Sequence, residues 1–381
     1  MNILFQSRKD LLVHPGGDTI QILKTKEMLE KNGYNVDIEL SDEVDVSTYD
    51  IVHIFNLQTL EYTRKQIYNA KSQNKPVVLS TIWWDFKYID LDNDFRKYWR
   101  SIKYKACLKL LEIFFFINRE KRIVYFDKFI FNFHKKKLGR NILKSVDWIL
   151  PNSSAELEIL VRDFDMPELR AKSSIVVNAI DNESFDNSHN EEAEDNKISL
   201  KLDKIPDNYI LCVGRIEPIK GQAKIIKALM DKKEIPLVFI GAGSDSRYGM
   251  FCKKLAEIRG NVFFIPPIRH DLLKLFYTRA KVHVLPSLRE SPGLVSLEAV
   301  AFDNNIVTSY QAPIWEYFRN DSFVCNPLDL KSIRSEILNA YNSSFNSNLK
   351  NYVLRNFTWN QTATQTVWAY RKVLERQFDV N

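Results

Sequence analysis

The apolar positions of this chain fall into short continuous runs set between longer stretches of helical spacing. Residues 2–6 form the first run and read as a buried strand. A loop follows at His14-Pro15-Gly16-Gly17-Asp18, and then Ile20, Leu23, Met28 and Leu29 mark one face of a helix that stops at Asn32-Gly33. Residues 34–40, 50–55 and 76–81 read as three more strands, with a helix over 59–70. Residues 145–150 and 174–177 are expected to supply two further strands. Strands that alternate with helices predict a doubly wound parallel sheet, whose ligands sit beyond the carboxyl ends of the strands.

A polar stretch interrupts the alternation. Residues 178–208 contain NSHNEEAEDNK, have few apolar positions and read as a linker. Strands are then expected at 209–213, 236–240, 262–265, 282–285 and 305–308. The helical spacing falls at 221–230, 247–259, 271–280, 294–302, 332–341 and 361–376. No stretch of sequence repeats, so the repetition is architectural: two halves of similar kind about a hinge. The expected boundaries are 1–185 for a first lobe, 186–208 for a linker, 209–358 for a second lobe and 359–381 for a closing helix. A length of 381 residues fits two domains.

Composition narrows the class. Hydrophobic residues make up 45% of the chain, which fills two cores and excludes a disordered protein. Cys107, Cys212, Cys252 and Cys325 show no metal-ligand spacing and read as free thiols of a reducing compartment. The opening MNILFQSRKD lacks the pattern of a signal peptide, and no run approaches the roughly 20 apolar residues of a membrane span. The expectation is a cytoplasmic protein, soluble or lying on the inner face of a membrane.

Two strand-to-helix loops carry the candidate chemistry. Gly214-Arg215-Ile216-Glu217-Pro218-Ile219-Lys220-Gly221 leaves a strand and opens a helix. A helix start offers N–H groups and partial positive charge to a phosphate, and Arg215 and Lys220 can add full charges. The plain alternative is a surface turn with incidental cations. The second loop, from Pro286 to Glu298, holds Glu290 and, a turn into the helix, Glu298, with Pro292-Gly293 at the helix start. Carboxylates suit vicinal hydroxyls, although two Glu at one spacing are also a common accident. Between these loops Phe239-Ile240-Gly241-Ala242-Gly243 is a strand end with small residues, not a GxGxxG fingerprint.

Taken as a set, ILCVGRIEPIKG, LVFIGAGSD, RAKVHVLPSLRESPGLVSLEAVA and FTWNQTATQTVWAYRKVLE resemble the donor lobe of glycosyltransferase family 4, the group 1 glycosyltransferases. The likeness runs from Tyr209 to about Glu375. HPGGD, YDIVHIFN, VDWILPNSS and IVVNAID give a weaker likeness in the first half. The resemblance implies an α/β protein of GT-B fold, with two Rossmann-like doubly wound domains facing across a cleft. It implies retention of anomeric configuration, and a donor that is a UDP- or GDP-sugar. Arg215 and Lys220 would hold the diphosphate, Glu298 the ribose, and Glu290 the transferred sugar. Gly214, Gly241, Gly293, Leu294 and Val295 would line the donor, with Gly16 and Gly17 approaching it from the first lobe. Neither a cofactor nor a metal is expected, since the two cations supply the neutralising charge.

This chain departs from the family where many members carry a His after the fourth strand. Here the text is Thr81-Ile82-Trp83-Trp84-Asp85. Trp83 or Trp84 could stack on a sugar, or could simply fill the core. Asp85 and His14 are further acceptor-side candidates, while His53, inside a strand, reads as a core residue.

Net charge is +6 and the pI about 8.9, with the excess concentrated at 96–140, inside an insertion over about 86–142 rich in Phe, Tyr, Lys and Arg. An ordinary helical pair would explain it. It also suits an anionic membrane surface near a lipid-linked acceptor, and no base-reading motif accompanies it to suggest nucleic acid. The expected activity is hexosyl transfer to a glycan acceptor in surface polysaccharide or glycolipid synthesis. The alternatives are a GT-B sugar-nucleotide epimerase and a non-catalytic binder of nucleotide sugar or membrane.

Overall fold

The computed structural model describes residues 1–84, 135–180, 198, 201–290, 293–310 and 313–378. In the first lobe β1 (Asn2–Gln6), α1 (Gly17–Lys31), β2 (Asn35–Ile38), β3 (Ile51–Phe55), α2 (Leu60–Ser72), β4 (Val77–Ser80), β5 (Trp148–Leu150) and α3 (Ser154–Phe164) follow in chain order. The strands form one parallel sheet, β2-β1-β3-β4-β5. The continuous apolar runs are explained by burial on both faces. Leu4, Val52, Ile54, Val77 and Leu79 point into one core, and Ile3, Phe5, Ile51, Phe55 and Val78 into the other.

The second lobe holds β6 (Tyr209–Val213), α4 (Gln222–Ala228), β7 (Leu237–Ile240), α5 (Arg247–Arg259), β8 (Val262–Ile265), α6 (Leu273–Arg279), β9 (Ala280–Leu285), α7 (Leu294–Ala301), β10 (Asn305–Ser309), α8 (Ile314–Phe318), β11 (Phe323–Cys325), α9 (Leu330–Asn342) and α10 (Ser347–Asn356). Its sheet is also parallel, in the order β11-β10-β9-β6-β7-β8. Read outward from β6, that is the dinucleotide-fold order, with its switch point between β6 and β9. The first sheet has the related flavodoxin-like order, with its switch point between β1 and β3. Both expected binding crevices are therefore located by topology alone.

The last helix, α11 (Trp359–Phe378), leaves the second lobe and lays Ala363, Val367, Tyr370 and Val373 into the first lobe's core. Tyr370 hydroxyl and His53 Nδ1 lie 2.6 Å apart, and His53 Nε2 meets Ser80 Oγ at 2.8 Å. At the hinge, Glu316 accepts from the N–H groups of Ser154 and Ala155 at 2.8 and 2.6 Å, so the second lobe caps a first-lobe helix. Tyr317 hydroxyl donates to Asn152 O at 2.6 Å beside it.

Three expectations need correction. Residues 174–177 are extended but form no strand. Ser174 and Val176 donate to the carbonyls of Ile149 and Pro151, and the ladder fails at Pro151, which has no N–H to return. The stretch read as linker yields Ile198, Leu202 and Ile205 to the second lobe's core. Strand β11 and helices α3, α8 and α10 were not anticipated. Asp85, Cys107 and most of the 96–140 segment lie outside the described residues.

His53 is buried, and burial pushes its imidazole down to about 3. His283 in β9 is likewise pushed down, to about 4. The unfolded chain binds these protons near pH 6.5 while the fold refuses them, so stability present above that pH is lost as pH falls toward the folded values. Each group is expected to cost about 1.4 kcal/mol per pH unit over that window. Urea unfolding at pH 6.5, 5.5 and 4.5 measures the slope, and His53→Asn should remove roughly one proton from it. An unchanged slope would contradict the assignment.

Candidate functional site

The second-lobe site is built from the loops that leave the two strands flanking the switch point. Loop 214–221 follows β6 and loop 286–293 follows β9. They touch directly: Leu288 N donates to Ile219 O at 2.8 Å, and a Cβ on Gly221 would meet Pro286 O at 2.9 Å. This contact brings residues 70 apart into an ion pair, Lys220 Nζ with Glu290 Oε1, both largely shielded from solvent. Helix α7 starts beside that pair, since a Cβ on Gly293 would lie 3.3 Å from Glu290 Oε2. A cation, a carboxylate and a helix N-terminus thus share one corner, with positive charge from both Lys220 and the helix start.

Glu298 lies deeper in α7 and is 5% exposed. Its Oε1 meets His270 Nε2 at 2.8 Å, and its Oε2 accepts from Tyr277 hydroxyl at 2.8 Å. Burial works to raise its carboxyl, but the charge and hydrogen bond of His270, with the Tyr277 hydroxyl, outweigh burial and hold it below the ordinary range. Buried His283 of β9 feels both Glu298 and Lys220, though burial dominates its titration.

Arg215 is placed differently. Its side chain is 56% exposed and meets Glu217 at 3.3 Å, at the rim of the loop rather than in the Lys220–Glu290 corner. The Gly241 backbone underlies the same loop: a Cβ there would stand 2.3 Å from Gly214 O.

Across the cleft, a Cβ on Gly17 would lie 3.9 Å from Leu294 Cδ1, so the first lobe's glycine loop faces the start of α7. Leu294 and Val295 form the first turn of that helix, Val295 O also accepting from Tyr277 hydroxyl at 3.3 Å. Arg8, at the end of β1, sets the loop. It donates to Asp18 at 2.9 and 3.3 Å, to His14 O at 2.6 Å and to Asp10. Asn56, from the loop after β3, donates to Asp18 at 3.2 Å. Gly16 precedes α1, and His14 is exposed.

Trp83 is corrected as a sugar platform. It is 3% exposed, its indole N–H donates to Asp163 at 3.0 Å, and its ring lies 4.8 Å from that of Phe164. The buried Glu156 causes this turn by accepting from Thr81 hydroxyl, from Trp83 N at 2.8 Å and from Asn152 N at 2.9 Å. Ile82 between them is held at a φ of 45°, strained backbone for a β-branched residue. Trp84 is half-buried.

Sequence reasoning missed His270, Tyr277, Arg8 and Asp18. His270 is 28 residues from Glu298 and no periodicity joins them. Arg8, two residues past a strand facing a glycine loop, was the more legible signal.

The family model described as "Glycosyl transferases group 1" matches residues 194–353. The chain is 29% identical over 168 residues to the O-antigen chain mannosyltransferase RfbU of Salmonella typhimurium, covering 42% of this chain and 46% of that one. Its curated relatives are matched over about half their length or less. Among solved structures, sucrose-phosphate synthase from Thermosynechococcus elongatus superposes with a TM-score of 0.70 at 16% identity, over 99% of this chain and 100% of that one. Anabaena HepE, solved in complex with UDP and glucose, superposes at 0.66 with 13% identity, over 96% and 98% of the two chains. The chain thus has two parallel Rossmann-like lobes in the GT-B arrangement, and its second lobe, which the matched residues 194–353 fill, is similar to the group 1 glycosyl transferases.

Proposed function

We infer that this chain moves a hexosyl unit from a nucleoside diphosphate sugar to a hydroxyl of a glycan acceptor, with retention of configuration. One observation carries the reading: Lys220, Glu290 and the start of α7 meet at the second lobe's switch point, opposite Gly17 of the first lobe. The diphosphate would take Lys220 from Glu290 and draw Arg215 inward from the rim. Glu290 would then be released toward the transferred sugar, and Glu298 would accept from the ribose hydroxyls. Charge developing on the leaving diphosphate is stabilised where cations already wait, with no metal required. The motifs place no side-chain nucleophile, so the departing phosphate takes the acceptor proton on the same face. HepE was solved with UDP and with UDP-glucose, which supports a nucleotide donor here. RfbU is an O-antigen chain mannosyltransferase, which supports a glycan acceptor here; the reading takes that acceptor to be lipid-linked at a membrane surface. The basic segment 96–140 would dock there, and a Lys135/Lys136/Lys137→Glu variant that floats with anionic vesicles as well as the unaltered protein would remove that part. No helix among the described residues is long and apolar enough to cross a membrane.

A thermal-shift screen against UDP, GDP and their common sugars tests the donor, followed by product analysis with and without acceptor. Stabilisation by one nucleotide and transfer only with acceptor is expected. Turnover of the nucleotide sugar without acceptor would favour the epimerase. The buried Trp83, where many family members place His, favours a second reading as a binder without turnover. Donor binding with no product would select it.

A further inference from the structure

His270 stands in none of the motifs, yet its Nε2 lies 2.8 Å from Oε1 of Glu298, the most deeply buried carboxylate of the site. We propose that His270 is a positioning residue of the nucleotide site, one that keeps Glu298 ionised and turned toward the ribose. The inference rests on the nucleotide-sugar reading above.

Glu298 side chain is 6% exposed, so almost no water solvates its charge. Tyr277 hydroxyl donates to the other oxygen from α6, and this neutral donor alone cannot offset burial of a full charge. His270 supplies the missing charge from the turn before α6, itself one-third exposed at the cleft. Burial lowers its imidazole, and the Glu298 charge and hydrogen bond raise it by more, leaving it above the ordinary value. The remaining charged neighbours act weakly and in opposite senses. Lys24 from α1 of the first lobe opposes the His270 cation, and Asp271 in its own turn supports it. His283 of β9, whose imidazole burial pushes down to about 4, is neutral between pH 5.5 and 7.5 and adds no charge to the pair. With its orientation set by two donors, the carboxylate keeps its outward lone pairs for a pair of vicinal hydroxyls.

Without the imidazolium, burial would dominate and Glu298 would take up a proton in mildly acid solution. A protonated carboxyl accepts ribose hydroxyls poorly. UDP-glucose and GDP-mannose, titrated calorimetrically at pH 7.5 and 5.5, test this, because their diphosphates do not change charge in that window. The unaltered protein should bind its preferred sugar nucleotide within about twofold at the two pH values. His270→Gln keeps a neutral donor to Glu298 and should bind two- to threefold weaker at pH 7.5. Its affinity should fall by a further factor of about ten at pH 5.5, as burial drives a proton onto Glu298. Glu298→Gln, with nothing to titrate, should bind weakly and equally at both. A His270→Gln protein that tracks the unaltered one at both pH values overturns the proposal. So does an acid loss of equal size in Glu298→Gln, since the titrating group would then lie elsewhere. If neither sugar nucleotide binds the unaltered protein at all, the nucleotide-site reading itself falls.

Discussion

Lys220→Ala is expected to slow glycosyl transfer by roughly 100-fold, with most of the loss in kcat. Two effects add. The leaving diphosphate loses the cation nearest the start of α7. Glu290, 13% exposed at its side chain and deprived of its partner, then presents an uncompensated negative charge to the incoming phosphates. Lys220→Arg should recover part of the rate, because it restores charge but not the short reach of an ammonium. Steady-state kinetics with saturating acceptor measures the effect. Activity within about threefold of the unaltered enzyme would remove Lys220 from the diphosphate site, since loss of a charge-assisted contact should cost at least roughly 1.5 kcal/mol.

Gly241→Ala should be as damaging by a different route. Gly241 ends β7 at a φ of 146°, and an added Cβ would stand 2.3 Å from Gly214 O and 3.3 Å from Arg215 N. Neither neighbour is the end of a flexible side chain, so the loop that carries Arg215 and Lys220 has to move. A loss of about 3 kcal/mol or more in unfolding free energy is expected, together with loss of nucleotide binding. Gly33→Ala is the control. Gly33 also has positive φ, 82°, but nothing lies within 4 Å of its added Cβ. It should cost only about 1–2 kcal/mol and leave binding intact. Equal costs at the two positions in urea unfolding would show that backbone preference, and not the collision with Gly214, decides.

The alternation of apolar runs with helical spacing was enough to locate both sheets, because central parallel strands are buried on both faces and carry no other signal. Reading failed at the edges. The three-residue strand Phe323–Cys325 is too short for a pattern. Residues 174–177 have strand composition but lose their ladder at Pro151. The motif loops were legible for a related reason. Topology obliges a switch-point ligand to meet the residues that leave β6 and β9, so residue type at those ends is informative. Partnerships were not legible. Lys220 and Glu290 are 70 residues apart, and each was read as a ligand group without sight of the other. Trp83 shows the same limit, because its orientation is set by Glu156 and Asp163, two side chains of a helix more than seventy residues away.

A single pocket assembled by the loops after β6 and β9 carries the nucleotide reading, and a crystal structure of the protein with its bound sugar nucleotide measures it most directly. The diphosphate should lie within hydrogen-bonding distance of Lys220 Nζ and the N–H groups at the start of α7, with the ribose on Glu298. A nucleotide bound well away from Lys220 and Glu298, or one whose ribose and phosphates reach neither, would contradict it.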